Sequence, residues 1–208
     1  MTIETERLLL RPFQEGDAED VFEYLNEPAV MIEITYMQMF VFITLIWVLV
    51  RFIIANGFKK FSAKRELQML LVYICIVVIA RFVYFPLHHI DGKIGALMIG
   101  FTEAPSDMIS FIPFYFLFDR YDGWLINIIG NIAMFIPVGI VLPICFRKLE
   151  NIKKTVFAGV GLILFIELTQ LICPERHTDI DDLILNTSGV AIGACIIFAI
   201  RNSRKDVE

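Results

Sequence analysis

The chain has 208 residues, of which 57% are hydrophobic, with a mean hydropathy of +0.69 and a formal net charge of -5. A soluble domain of this length cannot bury so large an apolar fraction, so the composition predicts a polytopic membrane protein. The basic residues flank the apolar runs and form no element that reads nucleic acid, which excludes nucleic acid as a partner. The four cysteines form no C-x-x-C pair, and we expect no cofactor.

The chain begins with an acidic leader, residues 1–33, which carries nine acidic residues against two arginines. Its segment Thr5 to Phe13, followed by Asp17 to Leu25, resembles the opening strand and first helix of GNAT-type N-acetyltransferases. The Gly-rich turn that binds acetyl-CoA in that family has no counterpart here, and a segment this short cannot enclose a core. We therefore expect an acetyltransferase remnant without acetyltransferase activity. The alternative is a solvated acidic segment.

Five apolar runs follow, each long enough to cross a hydrocarbon core of about 30 Å. They predict an all-α transmembrane domain over residues 34–201, a bundle of about five transmembrane helices, with a tail at residues 202–208. The predicted spans are Ile34 to Ile54, Leu67 to Phe85, Leu125 to Phe146, Thr155 to Cys173 and Leu183 to Ile200.

A sixth apolar run, Ile109 to Phe118, is too short to span and contains Pro113. We expect it to lie in the membrane interface or to re-enter the membrane.

The orientation follows from the positive-inside rule. Twelve Lys and Arg residues lie in the first loop, the third loop and the tail, whereas five lie on the opposite side. This split predicts a cytoplasmic C-terminus, and five crossings then place the N-terminus outside.

Four polar side chains from four spans share one layer near the outer side, by a rise of about 1.5 Å per residue. An unpaired charge at a helix centre costs about 2.5 to 3.5 kcal/mol, so the arginine and the glutamate of this layer should pair. The four residues are Arg81, Asn131, Glu167 and Asn186.

Helical spacing extends this layer towards the outer surface. Asp179, Asp182, Asn186, Gly189 and Gly193 follow one another at intervals of three and four residues, which predicts one helical stripe with small residues for close packing.

Asn127 and Gln170 lie one turn outward from Asn131 and Glu167, so a polar cleft open to the outside is expected. Ligand-binding residues predicted for it are Arg81, Asn127, Asn131, Glu167, Gln170, Arg176, Asp179, Asp182 and Asn186.

Two alternatives compete with a ligand cleft. In the first, the same polar layer only orients the helices and contacts no ligand. In the second, Asp179 and Asp182 hold a divalent metal together with His177, because carboxylates one turn apart can share a hard cation. An acidic first turn facing a helix dipole explains these aspartates without a metal.

The segments Asn127 to Asn131, Phe135 to Gly139, Ile166 to Gln170 and Arg176 to Gly189 together resemble the VanZ-like family of small bacterial membrane proteins, over roughly Met39 to Arg201. The resemblance implies a multi-pass protein of the bacterial cell membrane and a contribution to low-level resistance to the lipoglycopeptide teicoplanin. Membrane lipids, a lipid-linked cell-wall precursor or the lipoglycopeptide are the implied partners.

Two function classes remain open. In one, a non-enzymatic envelope protein binds a lipid-linked or acylated ligand in the outer cleft. In the other, an intramembrane enzyme acts on a lipid or cell-wall precursor, with Glu167 as the candidate general base. The absence of a Ser or Cys nucleophile close to a plausible base favours binding.

Overall fold

The computed structural model describes residues 3–4, 9–10, 31–55, 62–85, 89–90, 93–100, 109–110, 112–114, 124–173 and 178–205. This part of the chain is mostly helical, which confirms the predicted all-α polytopic class. Its five helices are α1 (Tyr36–Ile54), α2 (Ala63–Tyr84), α3 (Trp124–Cys145), α4 (Ile152–Gln170) and α5 (Ile180–Lys205).

Four of these helices, α1, α2, α3 and α5, are long and apolar enough to cross a membrane. Helix α4 has 19 residues but carries Lys153 and Lys154 in its first turn and Glu167 near its end. Because α4 is short, any stretch of it long enough to span contains all three charges, whereas the longer α2 and α5 leave most of their charges outside such a stretch. The number of crossings, and with it the side of the N-terminus, stays a prediction.

Helix α5 packs along α3 and against α4, and small residues make the α3–α5 contact possible. A Cβ added at Gly189 would lie 2.3 Å from the backbone oxygen of Ile132, and one at Gly193 would lie 2.1 Å from that of Ile136. Real atoms never approach so closely, so only glycine fits at these two positions. The close helix approach expected from the small-residue stripe is therefore present.

The apolar core lies where α2, α3, α4 and α5 meet. Its buried members are Ile79, Phe135, Val138, Ile163, Ile166 and Val190. Outside this core, α1 buries none of its residues. It is joined to α2 by the Arg51–Glu66 ion pair at 2.5 Å and by a hydrogen bond of 2.7 Å between Thr44 Oγ1 and the Tyr73 hydroxyl.

Side chains from α2 and α5 cap the last backbone carbonyls of α3. These carbonyls have no partner within their own helix, and cationic donors suit the negative end of the helix dipole. Arg201 Nη2 donates to Pro143 O at 2.9 Å, Gln68 Nε2 donates to Ile144 O at 3.4 Å, and Arg65 Nη1 donates to Cys145 O. Helix α3 continues through both of its prolines, Pro137 and Pro143.

The two ends of the bundle differ in charge. The basic end carries the cap just described, the loop between α3 and α4, and the end of α5. The acidic end carries the start of α3, the end of α4 and the start of α5 with Asp179, Asp181 and Asp182.

Short strands, which the sequence did not predict, lie over the acidic end. β3 (Met31–Ile34) pairs antiparallel with β6 (Leu97–Gly100), and the Gly100 N–H donates to Ile172 O at 3.0 Å. Because Ile34 belongs to β3, the first helix begins two residues later than predicted. Thr35 and Gln38 form a capping box there.

The described residues also form three pairs of two-residue strands. β1 (Ile3–Glu4) pairs with β2 (Leu9–Leu10), β4 (His89–Ile90) pairs with β5 (Lys93–Ile94), and β7 (Ile109–Ser110) pairs in parallel with β8 (Thr178–Asp179). Most of the leader, where the resemblance to an acetyltransferase falls, lies outside the described residues.

Candidate ligand site at the acidic end

Asparagines on α3 and an aspartate on α5 form a hydrogen-bonded row at the acidic end. Asn131 Nδ2 donates to Asp182 Oδ1 at 2.5 Å and lies 3.4 Å from Asn127 Oδ1. The predicted neighbours Asn127, Asn131 and Asp182 are thus brought together. The row holds the Asp182 carboxylate against α3, because a donor to a charged oxygen makes a strong hydrogen bond.

Asp181 connects the start of α5 to the segment that contains Pro113. Its Oδ1 accepts the Phe114 backbone N–H at 2.5 Å, and its own N–H donates to Asp179 Oδ1 at 3.0 Å. Phe114 has a positive φ of 62°. The described part of the predicted interfacial segment is therefore anchored to the acidic end by a buried carboxylate.

The sequence analysis did not predict that Asp181 anchors the segment with Phe114, and Asp181 is not among the predicted ligand-binding residues. A signal was present in the sequence, because Asp181 lies about 100° around the helix from Asp182 and so falls off the stripe shared by Asp179, Asp182 and Asn186.

Three acceptor oxygens at this end are buried and receive no hydrogen bond from any described residue. They are Oε2 of Glu167 and Oε1 of Gln170, one turn apart on α4, and Oδ1 of Asn186 on α5. The three residues are 8%, 6% and 3% exposed. A buried acceptor without a donor costs about 1 to 3 kcal/mol, so a bound group that carries donors would be stabilised here.

The charge of the site is one-sided. The described charged groups that act on the buried Glu167 are the carboxylates of Asp182 and Asp179. Among the described residues, no cation forms an ion pair with Glu167. A ligand group at this place should therefore be a hydrogen-bond donor or a cation rather than an anion.

Arg81 does not form the predicted ion pair with Glu167. Its guanidinium lies 5.8 Å from the ring centre of Tyr36 and 5.6 Å from that of Phe82, and Nη1 is 3.4 Å from Phe85 O. Arg81 sits in the last turn of α2, so its long side chain reaches aromatic rings and the carbonyl at the end of its own helix. Aromatic faces attract a guanidinium, which makes this a favourable alternative to a buried ion pair.

The link between α2 and α4 is instead a hydrogen bond of 2.5 Å between the Tyr84 hydroxyl and Thr169 Oγ1. Both residues also line a partly open apolar cavity of about 470 Å³ between α1, α2, α3, α4 and β6. Ile166 lines the same cavity. Because Ile166 and Thr169 flank Glu167 on α4, the apolar cavity and the unpaired oxygens lie on adjacent faces of one helix.

Two predicted site residues, Arg176 and His177, lie outside the described residues. In the part of the chain that is described, no group of three His, Cys, Asp or Glu side chains is arranged to hold a metal.

Comparison with known proteins gives one match. The VanZ/LLP1 family model matches residues 69–201, from the first third of α2 to the last turns of α5. No curated protein and no solved structure matches the chain. The match covers well over half of the sequence. It includes the hydrogen-bonded row of Asn127, Asn131 and Asp182 and the three buried acceptors of Glu167, Gln170 and Asn186. The chain therefore belongs to the VanZ/LLP1 family.

Proposed function

We propose that this membrane protein binds an amphiphilic ligand, a lipid-linked or acylated molecule, at the acidic end of its helix bundle. In this proposal the acidic end faces outward and the C-terminus is cytoplasmic. The ligand is a lipid-linked cell-wall precursor or a lipoglycopeptide, and its capture contributes to resistance of the teicoplanin type. The leader contributes no acetyltransferase activity.

One observation carries the proposal: buried, unpaired acceptor oxygens lie beside an apolar cavity. Glu167 and Gln170 present acceptors on one side of α4, while Ile166 and Thr169 line the cavity on the next side. A volume of about 470 Å³ falls within the usual range of ligand pockets, roughly 300 to 1,000 Å³. Such a pair of environments suits a molecule with a donor-rich polar part and an acyl chain.

The acceptor-rich character narrows the polar part of the ligand. Peptide N–H groups, sugar hydroxyls and ammonium groups donate hydrogen bonds, and both cell-wall precursors and lipoglycopeptides carry many of them. A free phosphate or a carboxylate would meet the buried acceptor oxygens of Glu167 and Gln170 beside the carboxylates of Asp179 and Asp182, which opposes its binding. The donor-bearing part of the ligand, rather than its phosphate, should contact this cluster.

The proposal is tested by binding to purified protein in nanodiscs. Fluorescent teicoplanin and a labelled lipid-linked cell-wall precursor are titrated against wild type, Glu167→Gln and the control Glu33→Gln. Glu33 is exposed on β3 at the same end and undergoes the same loss of charge. We expect Glu167→Gln to weaken binding of one ligand about tenfold or more, because an amide N–H₂ replaces one acceptor oxygen and leaves a buried donor of the ligand without its partner, at about 1 to 3 kcal/mol. Equal affinities of the two variants would refute the cleft.

A second candidate is an enzyme in which Glu167 acts as general base, since Oε2 of this buried carboxylate is available to accept a proton. Proteoliposomes with labelled cell-wall lipid precursor separate the two functions. Turnover by wild type that disappears in Glu167→Gln would establish the enzyme. Binding without turnover would support the binding protein.

A further inference from the structure

A second cavity lies at the basic end, opposite the candidate ligand site. It has a volume of about 910 Å³ and opens between the start of α2, the end of α3 and the first turns of α4. Lys64, Arg147 and Lys148 supply charge to its wall, and Leu142 and Phe146 supply apolar surface. The cavity is therefore amphiphilic, with three cations beside side chains that suit hydrocarbon.

The described carboxylates near this cavity are already paired with other cations. Glu66 binds Arg51 at 2.5 Å, and Glu150 binds Lys154 at 2.5 Å. Arg65 also lines the cavity, but it donates to the carbonyl of Cys145 and lies over the Phe146 ring. Its guanidinium thus belongs to the cap of α3.

The remaining cations of the wall have no carboxylate partner among the described residues. Lys64, Arg147 and Lys148 form no ion pair with any described residue, and all three side chains are exposed. The positive-inside rule is satisfied by cations anywhere at this end of the bundle. Membrane orientation therefore does not explain why three cations line one cavity. Their convergence on a common space indicates an anionic occupant.

We infer that this cavity binds the phosphate group of an anionic phospholipid from the leaflet at the basic end. Basic pockets between helix ends at the cytoplasmic side are suited to anionic headgroups. A soluble phosphate would use the cations but leave the apolar wall exposed to water. A phospholipid satisfies both, because its glycerol and acyl parts can lie along Leu142 and Phe146.

The first test uses the unaltered protein. Purified protein is exposed to phosphatidylglycerol, to phosphatidylcholine or to inorganic phosphate, and bound lipid is counted by native mass spectrometry while the thermal midpoint is recorded. We expect retention of phosphatidylglycerol over phosphatidylcholine, a raised midpoint with the anionic lipid, and little effect of inorganic phosphate. Equal retention of both lipids would overturn the inference. Full competition by inorganic phosphate would show an anion site rather than a lipid site.

The second test compares two double variants with the same change of charge. Arg147→Gln/Lys148→Gln removes two cations from the cavity, whereas Lys153→Gln/Arg204→Gln removes two exposed cations from the same end but outside the cavity. We expect the cavity variant to bind phosphatidylglycerol about 25-fold more weakly, from about fivefold per side chain, with the control near wild type. Equal weakening in both would mean that overall charge, and not this cavity, holds the lipid. Lys64→Gln provides an independent single variant of the same wall.

Discussion

The side-chain amide of Asn131 donates to Oδ1 of Asp182 at 2.5 Å and thereby joins the third helix to the fifth at the acidic end. Asn131 lies within an apolar span and Asp182 in the acidic turn directly before another, and each would be costly there alone. Their contact gives the carboxylate a donor and places the buried, unpaired acceptors of Glu167 and Asn186 next to an ordered polar surface.

Removal of this contact should destabilise the bundle in a coupled way. We expect Asn131→Ala and Asp182→Ala each to lower the free energy of unfolding by about 1 to 3 kcal/mol. The double variant should lose less than the sum, because the second substitution removes a partner that has already lost its contact. Reversible unfolding in detergent measures the cycle. Additive losses would show that the contact contributes no coupling energy.

The glycines between α3 and α5 offer a matched set of substitutions. Alanine at Gly139 would place Cβ 2.1 Å from Val190 O, and alanine at Gly189 would place it 2.3 Å from Ile132 O. We expect each to cost about 1 to 3 kcal/mol from overpacking, or to prevent folding. Gly130→Ala and Gly161→Ala are controls, because no atom lies within 4 Å of either Cβ.

Those two controls should be neutral or stabilising by up to about 1 kcal/mol, since alanine favours helix more than glycine does. The midpoint of thermal unfolding in detergent separates the two pairs. Similar midpoints for all four variants would contradict the close helix approach.

Neutralising Glu167 should not destabilise the protein. Glu167 has no ion-pair partner among the described residues, so Glu167→Gln breaks no ion pair and keeps the side-chain shape. We expect an unchanged or raised thermal midpoint. The same substitution at Glu66, which breaks its ion pair with Arg51, should lower stability by up to about 1 kcal/mol.

A clear loss of stability in Glu167→Gln would instead favour the interpretation in which the polar layer only orients the helices. Together with the binding assay, this variant separates a site kept for a ligand from one kept for folding.

The cap of α3 can be tested with two arginines of α5. Arg201 Nη2 donates to Pro143 O at 2.9 Å, whereas Arg204 is exposed. We expect Arg201→Gln to lower the free energy of unfolding by about 1.5 to 3 kcal/mol, because a charged donor to a helix-terminal carbonyl is lost. Arg204→Gln should change it by less than about 0.5 kcal/mol. Equal losses would show that charge at this end matters and the contact does not.

The predicted orientation has its own test. Twelve Lys and Arg residues on one side against five on the other predict that a reporter fused after Glu208 is active only in the cytoplasm. A reporter inserted near Arg176 should be active only outside. If both reporters are active on the same side, α5 does not cross the membrane.

The helices could be predicted from the sequence because a run of about twenty apolar residues is a local property. The ends of the helices differ from the prediction by only a few residues. For example, α1 begins at Tyr36 and not at Ile34, because Ile34 pairs in a strand and Thr35 caps the helix. The stripe with Gly189 and Gly193 was also predictable, since intervals of three and four residues place side chains on one face of a helix. That Gly189 and Gly193 pack on α3, and not on another helix, needed the tertiary structure.

The contacts between helices were decided only by the fold. Arg81 and Glu167 share a predicted depth, but depth along an axis does not specify the rotation of each helix, and the flexible side chain of Arg81 finds Tyr36 and Phe82 instead. Asp181 meets Phe114 across 67 residues of sequence, and β3 pairs with the distant β6. Such contacts depend on which segments meet in space. The sequence by itself determined the helices and which of their side chains are polar, whereas the partners of those side chains follow from helix rotation and packing.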